Sequence, residues 1–253
     1  NLQVITARVG CADAWRDLPA ILAVLRARAP EGRPLFAVGF SMGGQILAKH
    51  LAALGDATPL AAAVTVSAPF TPSKCMRSLE SPRSLPLNLV LCLGAKVAVL
   101  RSPAVMGSLT GAQRAALLRA LTLRQLEEAV ICPLHGYSNA EHYYSSNAPD
   151  LSKVRRPLLV VHARDDPVVL AEDLPLQAMR DNPLVLTAFT RRGGHLGWTP
   201  GPVSLPCAPS WADRVAARFL SPHAALARDR QRARARGGGG EEAIFEGLPA
   251  PRL

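Results

Sequence analysis

Three residue types that cooperate in nucleophilic catalysis occur in this 253-residue chain in the order serine, aspartate, histidine. The serine is Ser41, within Gly39-Phe40-Ser41-Met42-Gly43-Gly44, a G-x-S-x-G pattern. The acid is Asp166 in Arg164-Asp165-Asp166-Pro167, with Asp165 as its alternative, and the histidine is His195, after Gly193-Gly194. A serine hydroxyl is a poor nucleophile at neutral pH and needs a base to take its proton. The base in turn needs a third group to fix its tautomer and stabilise its cation. Such a set attacks an acyl carbonyl and passes through a covalent acyl intermediate. Asp166 is preferred as the acid because it directly precedes Pro167, where a strand ends. A solvent-facing turn or a helix cap is the plain structural role for either aspartate.

The elements around these residues suit that chemistry. Leu35 to Val38 is an apolar run that reads as a buried strand, and Ile46, Leu47, His50, Leu51 and Leu54 share one face of a following helix. A G-x-S-x-G at a strand-to-helix junction is a nucleophile elbow, in which a sharp turn at positive φ exposes the serine. Gly39 and Gly43 are expected to let strand and helix pass closely. The N–H of Met42, at the helix N-terminus, is the expected oxyanion donor. Ala61 to Ser67, Pro157 to Ala163 and Leu184 to Phe189 read as further strands. Helices are expected over Asp13 to Arg28, Leu170 to Arg180 and Trp211 to Leu220. Asn1 to Ala12 reads as a lead-in loop. Strands alternating with helices indicate a parallel sheet, whose sites lie past the carboxyl ends of strands. Ser41, the Asp165/Asp166 pair and His195 all fall there. His50 is expected to be packed or partly exposed and His162 to be a core residue, and neither His135 nor His142 follows a strand.

The fold class is therefore α/β, a mostly parallel sheet with helices on both faces. Residues 1–220 form the core, and a helical cap is inserted over about 71–152, with Leu117 to Val130 as its clearest helix. Residues 221–253 read as a disordered tail on the Arg228 to Arg236 charge run and Gly237 to Gly240. Glu241 to Phe245 is at most a short docking motif. Leu85 to Leu100 is too short to cross a bilayer and reads as an amphipathic or core helix. The five cysteines form no C-x-x-C and stand at no metal spacing with histidine, so idle or buried thiols are expected. The net charge is +10. On charge alone nucleic acid and an anionic lipid surface are equal candidates as partners, but no basic platform interleaved with aromatics is present and nucleic acid is not the expected partner. No histidine has an aspartate five residues on, which lowers acyl transfer through an H-x-x-x-x-D box.

GFSMGG, YYSSNAPDL, PLLVVHARDDP and the NP…GGHLGW run together resemble the YheT-like branch of the α/β-hydrolases, over roughly residues 13 to 219. That branch includes embryogenesis-associated plant proteins and membrane-anchored abhydrolase-domain lipases. The resemblance implies a carboxylic ester hydrolase acting on lipid acyl esters, with Ser41 as nucleophile, Asp166 as acid and His195 as base. It implies no metal or organic cofactor, and a membrane-associated full-length protein with an upstream anchor. About the first half of the family pattern has no counterpart here, including the early strands and the loop that gives the second oxyanion N–H. The chain is thus expected to be a fragment, with an exposed sheet edge and Met42 acting alone. Loss of one such donor typically costs about 10²–10³ in rate. On that view the chain is not a stable enzyme by itself, and a weak or inactive hydrolase-fold scaffold, or a lipid-binding protein, is the alternative.

Overall fold

Four parallel strands pair in sequence order, β1 (Leu35–Phe40), β2 (Leu60–Val66), β3 (Leu158–Ala163) and β4 (Val185–Thr190). The computed structural model describes residues 10–198 and 209–236, with side chains to 225. Strands covered on both faces read as unbroken apolar runs, and β3, LLVVHA, is buried at every position. β2 pairs with β1 from Leu60↔Leu35 to Val66↔Phe40 and with β3 from Ala63↔Leu158 to Val66↔Val161. β1 is an edge, and its Val38 and Phe40 are exposed.

Helices flank both faces. A 3-10 turn at Ala12–Arg16 leads into α1 (Leu18–Arg28), and α2 (Met42–Leu54) follows the first strand. Leu47, Ala48 and Leu51 of α2 pack with Leu60, Ala63, Leu158 and Val160 of the sheet. Between β2 and β3 lies a helical insertion. It comprises α3 (Pro72–Leu79), α4 (Leu85–Leu100), α5 (Pro103–Ser108), α6 (Gly111–Arg119), α7 (Leu123–Leu126), a π turn (Glu127–Ile131), α8 (Cys132–His135) and α9 (Ala140–Asn147). Its apolar residues share a core of their own, around Cys92, Val105, Leu117, Val130 and Tyr144. Past β3 come α10 (Leu176–Asp181) and, after β4, α11 (Trp211–Arg236). Ala212 and Ala216 of α11 cover the other sheet face against Val64, Val66 and Val161.

Several boundaries differ from the sequence expectation for identifiable reasons. The helix expected over Asp13 to Arg28 breaks at Asp17, just before Pro19. Leu117 to Val130 is not one helix. α6 starts at a capping box between Thr110 and Gln113 and ends at Arg119; Thr122 then caps α7 by accepting from the Gln125 N–H. Pro175 delays α10, and a 3-10 turn takes Ala171–Asp173. The disorder expected from Ser221 is replaced as far as Arg236 by continuation of α11 through Pro222. Ala and Arg, which dominate that stretch, are among the strongest helix formers. The rest of the expected tail, with Glu241 to Phe245, lies outside the described residues, as do Cys207 and most of the lead-in loop.

Candidate active site

Ser41 occupies φ 50° and ψ −124°, a conformation a side chain rarely adopts. The surroundings enforce it. Its N–H donates to Val66 O of β2 at 2.8 Å, and its carbonyl accepts from Gly44 N and Gln45 N at 2.9 and 3.2 Å, which starts α2. Gly39 is required because a Cβ there would stand 2.5 Å from the Gly43 carbonyl oxygen. The second tight glycine is Gly44, whose added Cβ would meet Ala68 Cβ at 2.7 Å; around Gly43, named from the spacing, there is open space. The Met42 N–H belongs to the first turn of α2, where backbone donors have no intrahelical partner.

His195 Nε2 lies 2.9 Å from Ser41 Oγ. On its other side, Nδ1 lies 2.9 Å from Asp166 Oδ2 and 3.1 Å from Oδ1. With Nδ1–H donating to the carboxylate, Nε2 is left to accept the serine proton. Asp166 is 2% exposed. Burial alone would raise its pKa, but the hydrogen bond from His195 and the N–H groups of Val169 and Val168 outweigh it and hold the carboxyl below its ordinary value. Those N–H groups reach Oδ1 at 3.0 and 2.9 Å. Asp165 does something else: its Oδ1 accepts the Gly194 N–H at 2.9 Å, which fastens the loop carrying His195. Gly193 in that loop packs so tightly that a Cβ would fall 2.4 Å from Trp198 Nε1.

The remaining histidines of the described residues are engaged elsewhere, His223 of α11 against the Phe219 ring. His50 is fully buried with Nε2 2.9 Å from Thr58 Oγ1. His162 Nε2–H donates to Val169 O at 3.0 Å, which supports the 166–169 turn; burial holds its pKa below the ordinary value. His135 lies against Asp13 and Cys11, and His142 against Ser138. Burial pushes the Cys11 thiol up to about 11, so it stays protonated beside His135. Cys11, Cys75, Cys92 and Cys132 are all free and buried.

Ser41 and His195 open on a cavity of about 250 Å³ between the sheet and the insertion, bordered by Pro72, Met76, Leu79 and Leu91. Its polar lining includes Gln45 and Glu127, the first residue of the π turn, which receives the Tyr144 hydroxyl. Burial pushes the Glu127 carboxyl up to about 7, against the opposing effects of Tyr144 and the Arg124 charge. Arg124 is drawn to Glu80 at 2.9 Å. Tyr143 closes the same wall, accepting the Ala12 N–H at 2.8 Å. The sequence does not single out Glu127, and it gives Tyr143 and Tyr144 only as the start of YYSSNAPDL, because nothing in QLEEAV or HYYSS says which side chain turns inward.

Ser41 follows β1, Asp166 follows β3 and His195 follows β4, so all three stand at the carboxyl edge of the sheet. Phospholipase ABHD3 of Mus musculus is 30% identical over 223 residues, which is 86% of this chain and 53% of that protein. The YheT protein of Escherichia coli is 33% identical over 170 residues, 66% of this chain and 50% of that protein. The chain belongs to the YheT-like branch of the α/β-hydrolase superfamily. A further relative, the monoacylglycerol lipase of Saccharomyces cerevisiae, is 32% identical over 184 residues, 69% of this chain and 40% of that protein. The chain thus spans about half the length of the curated relatives it matches. No family model matches it.

Proposed function

We propose that the chain is a serine hydrolase that cleaves carboxylic esters, with lipid acyl esters as its substrates. Ser41 Oγ attacks the ester carbonyl while His195 Nε2 takes its proton. The oxyanion that forms faces the Met42 N–H and the positive end of α2. His195 then passes the proton to the leaving alcohol, and water attacks the acyl-enzyme by the reverse sequence, freeing the acid. Asp166 orients His195 and stabilises its cation. No metal or organic cofactor takes part in this scheme.

The observation that carries the reading is the hydrogen-bonded line from Asp166 through His195 to a serine held at φ 50°. Lipid as the substrate class is supported by the apolar wall of Pro72, Met76, Leu79 and Leu91, and by relatives named phospholipase and monoacylglycerol lipase. The test is hydrolysis of a monoacylglycerol, a phosphatidylcholine and p-nitrophenyl butyrate by the protein and by Ser41→Ala. The protein is expected to cleave one of the lipids as well as the chromogenic ester, and Ser41→Ala to lose about 10⁴-fold or more. Equal turnover by Ser41→Ala sinks the reading.

A further inference from the structure

α4 is apolar on both sides. Cys92 and Val99 are buried in the core of the insertion, and Leu91 borders the cavity that holds Ser41. On the opposite side Leu89, Val90, Leu93 and Val97 fall at helical spacing and face solvent, with Val90 65% and Leu93 58% exposed. The patch extends to the end of α6 and the residues that follow it. Lys96 of α4 donates to the carbonyls of Leu118 and Ala120 at 3.0 and 2.6 Å, which draws that segment alongside. There Leu118 and Leu121 are each 61% exposed. An apolar patch of this kind on a protein surface marks a docking face.

The charge along this stretch of sequence is one-sided, with the exposed Glu128 beside Arg119 just beyond it. From Ser81 to Leu126 the sequence contains no aspartate or glutamate, but it contains Arg83, Lys96, Arg101, Arg114, Arg119 and Arg124. Of these, Arg83, Arg101, Arg114 and Arg119 are exposed. A helix with leucines and valines facing out and arginines around it has the chemistry of the boundary between acyl chains and anionic headgroups. Spanning is excluded for this helix. At its 16 residues α4 is about 24 Å long, short of a hydrocarbon core of about 30 Å. Among the described residues no helix is long and apolar enough to cross a membrane.

We infer that the outer face of α4, with Leu118 and Leu121, docks the protein onto an anionic lipid surface and lies in its plane. The inner face of the same helix borders the cavity, so a lipid leaving that surface meets Leu91 and then Ser41. This sense of direction rests on the lipid-ester reading of the cavity; the binding surface itself does not.

The test uses the whole chain carrying Ser41→Ala, so that binding is read without turnover, and sediments it with vesicles of phosphatidylcholine or of phosphatidylcholine with phosphatidylserine. Binding to the anionic vesicles is expected, weakening as salt rises. Val90→Glu with Leu93→Glu should lower that binding about tenfold or more, and Arg101→Glu with Arg119→Glu should remove the preference for phosphatidylserine. In the Ser41 background the same double variants should still hydrolyse p-nitrophenyl butyrate, which shows that they fold. Wild-type vesicle binding by Val90→Glu/Leu93→Glu overturns the inference. So does a chain that binds no vesicles and self-associates through this face, with the same variants converting it to monomer. Vesicle binding without ester hydrolysis would instead fault the reading of the active site and leave the docking face standing.

Discussion

Replacing Asp166 with Asn changes one atom, and its effect can be worked out from the bonds around it. Oδ1 accepts the Val168 and Val169 N–H groups at 2.9 and 3.0 Å, so the amide oxygen of Asn must take that place. The amide NH₂ then occupies the Oδ2 position, 2.9 Å from His195 Nδ1. Two donors cannot face each other, so Nδ1 gives up its hydrogen and Nε2 acquires one. In that tautomer Nε2 cannot take the Ser41 proton. The loss expected is about 10⁴-fold in kcat, roughly 5 kcal/mol of barrier, with little change in KM. Asp165→Asn is the control, because an amide oxygen can still accept the Gly194 N–H; it should cost no more than about tenfold. The assay is p-nitrophenyl butyrate hydrolysis across both variants, with thermal melts to show that each is folded. An Asp166→Asn protein within about tenfold of wild type, or an Asp165→Asn protein as impaired as it, refutes the tautomer argument.

Gly39→Ala drives a Cβ to within 2.5 Å of the Gly43 backbone oxygen, so the elbow must open; a loss of roughly 2–3 kcal/mol in stability is expected, measured by chemical denaturation. Gly193→Ala pushes against the buried Trp198 and should displace His195, lowering kcat at least about tenfold and lowering the melting temperature as well. Glu127 gives a pH prediction. Its folded value of about 7 lies above the ordinary 4.5, so its contribution is full below about 4.5 and is lost as pH rises through 7. That displacement corresponds to roughly 3 kcal/mol. Glu127→Gln should flatten the stability profile between those values, and a profile that keeps its slope would show that Glu127 is not the group responsible.

The residues that carry the proposed chemistry were legible because each follows a short apolar run that reads as a strand, although only β3, before Asp166, is buried at every position. Unbroken runs such as PLLVVHA mark such strands without reference to the rest of the chain. The choice between Asp165 and Asp166 needed the turn itself, in which Val168 and Val169 close on one carboxylate while the other faces Gly194. The tight glycine was assigned one residue early because its neighbour, Ala68, arrives from the end of another strand. Within the insertion, apolar spacing suggested one helix where the Thr110 and Thr122 caps make two, since local hydrogen bonds outweighed periodicity. The arginines after Ser221 read as a solvated charge run, yet Ala and Arg continue α11 to Arg236. Glu127 was invisible because its burial depends on Tyr144, which lies 17 residues away.

The central claim is that Ser41 is activated by His195. The most direct measurement is the rate of fluorophosphonate labelling of the folded protein, with the adduct located by mass spectrometry, in wild type, Ser41→Ala and His195→Ala. The account predicts a single adduct on Ser41, none there in Ser41→Ala, and labelling slowed about 10³-fold or more in His195→Ala. A folded protein that takes up no probe, or one labelled at Ser41 equally fast without His195, would contradict it.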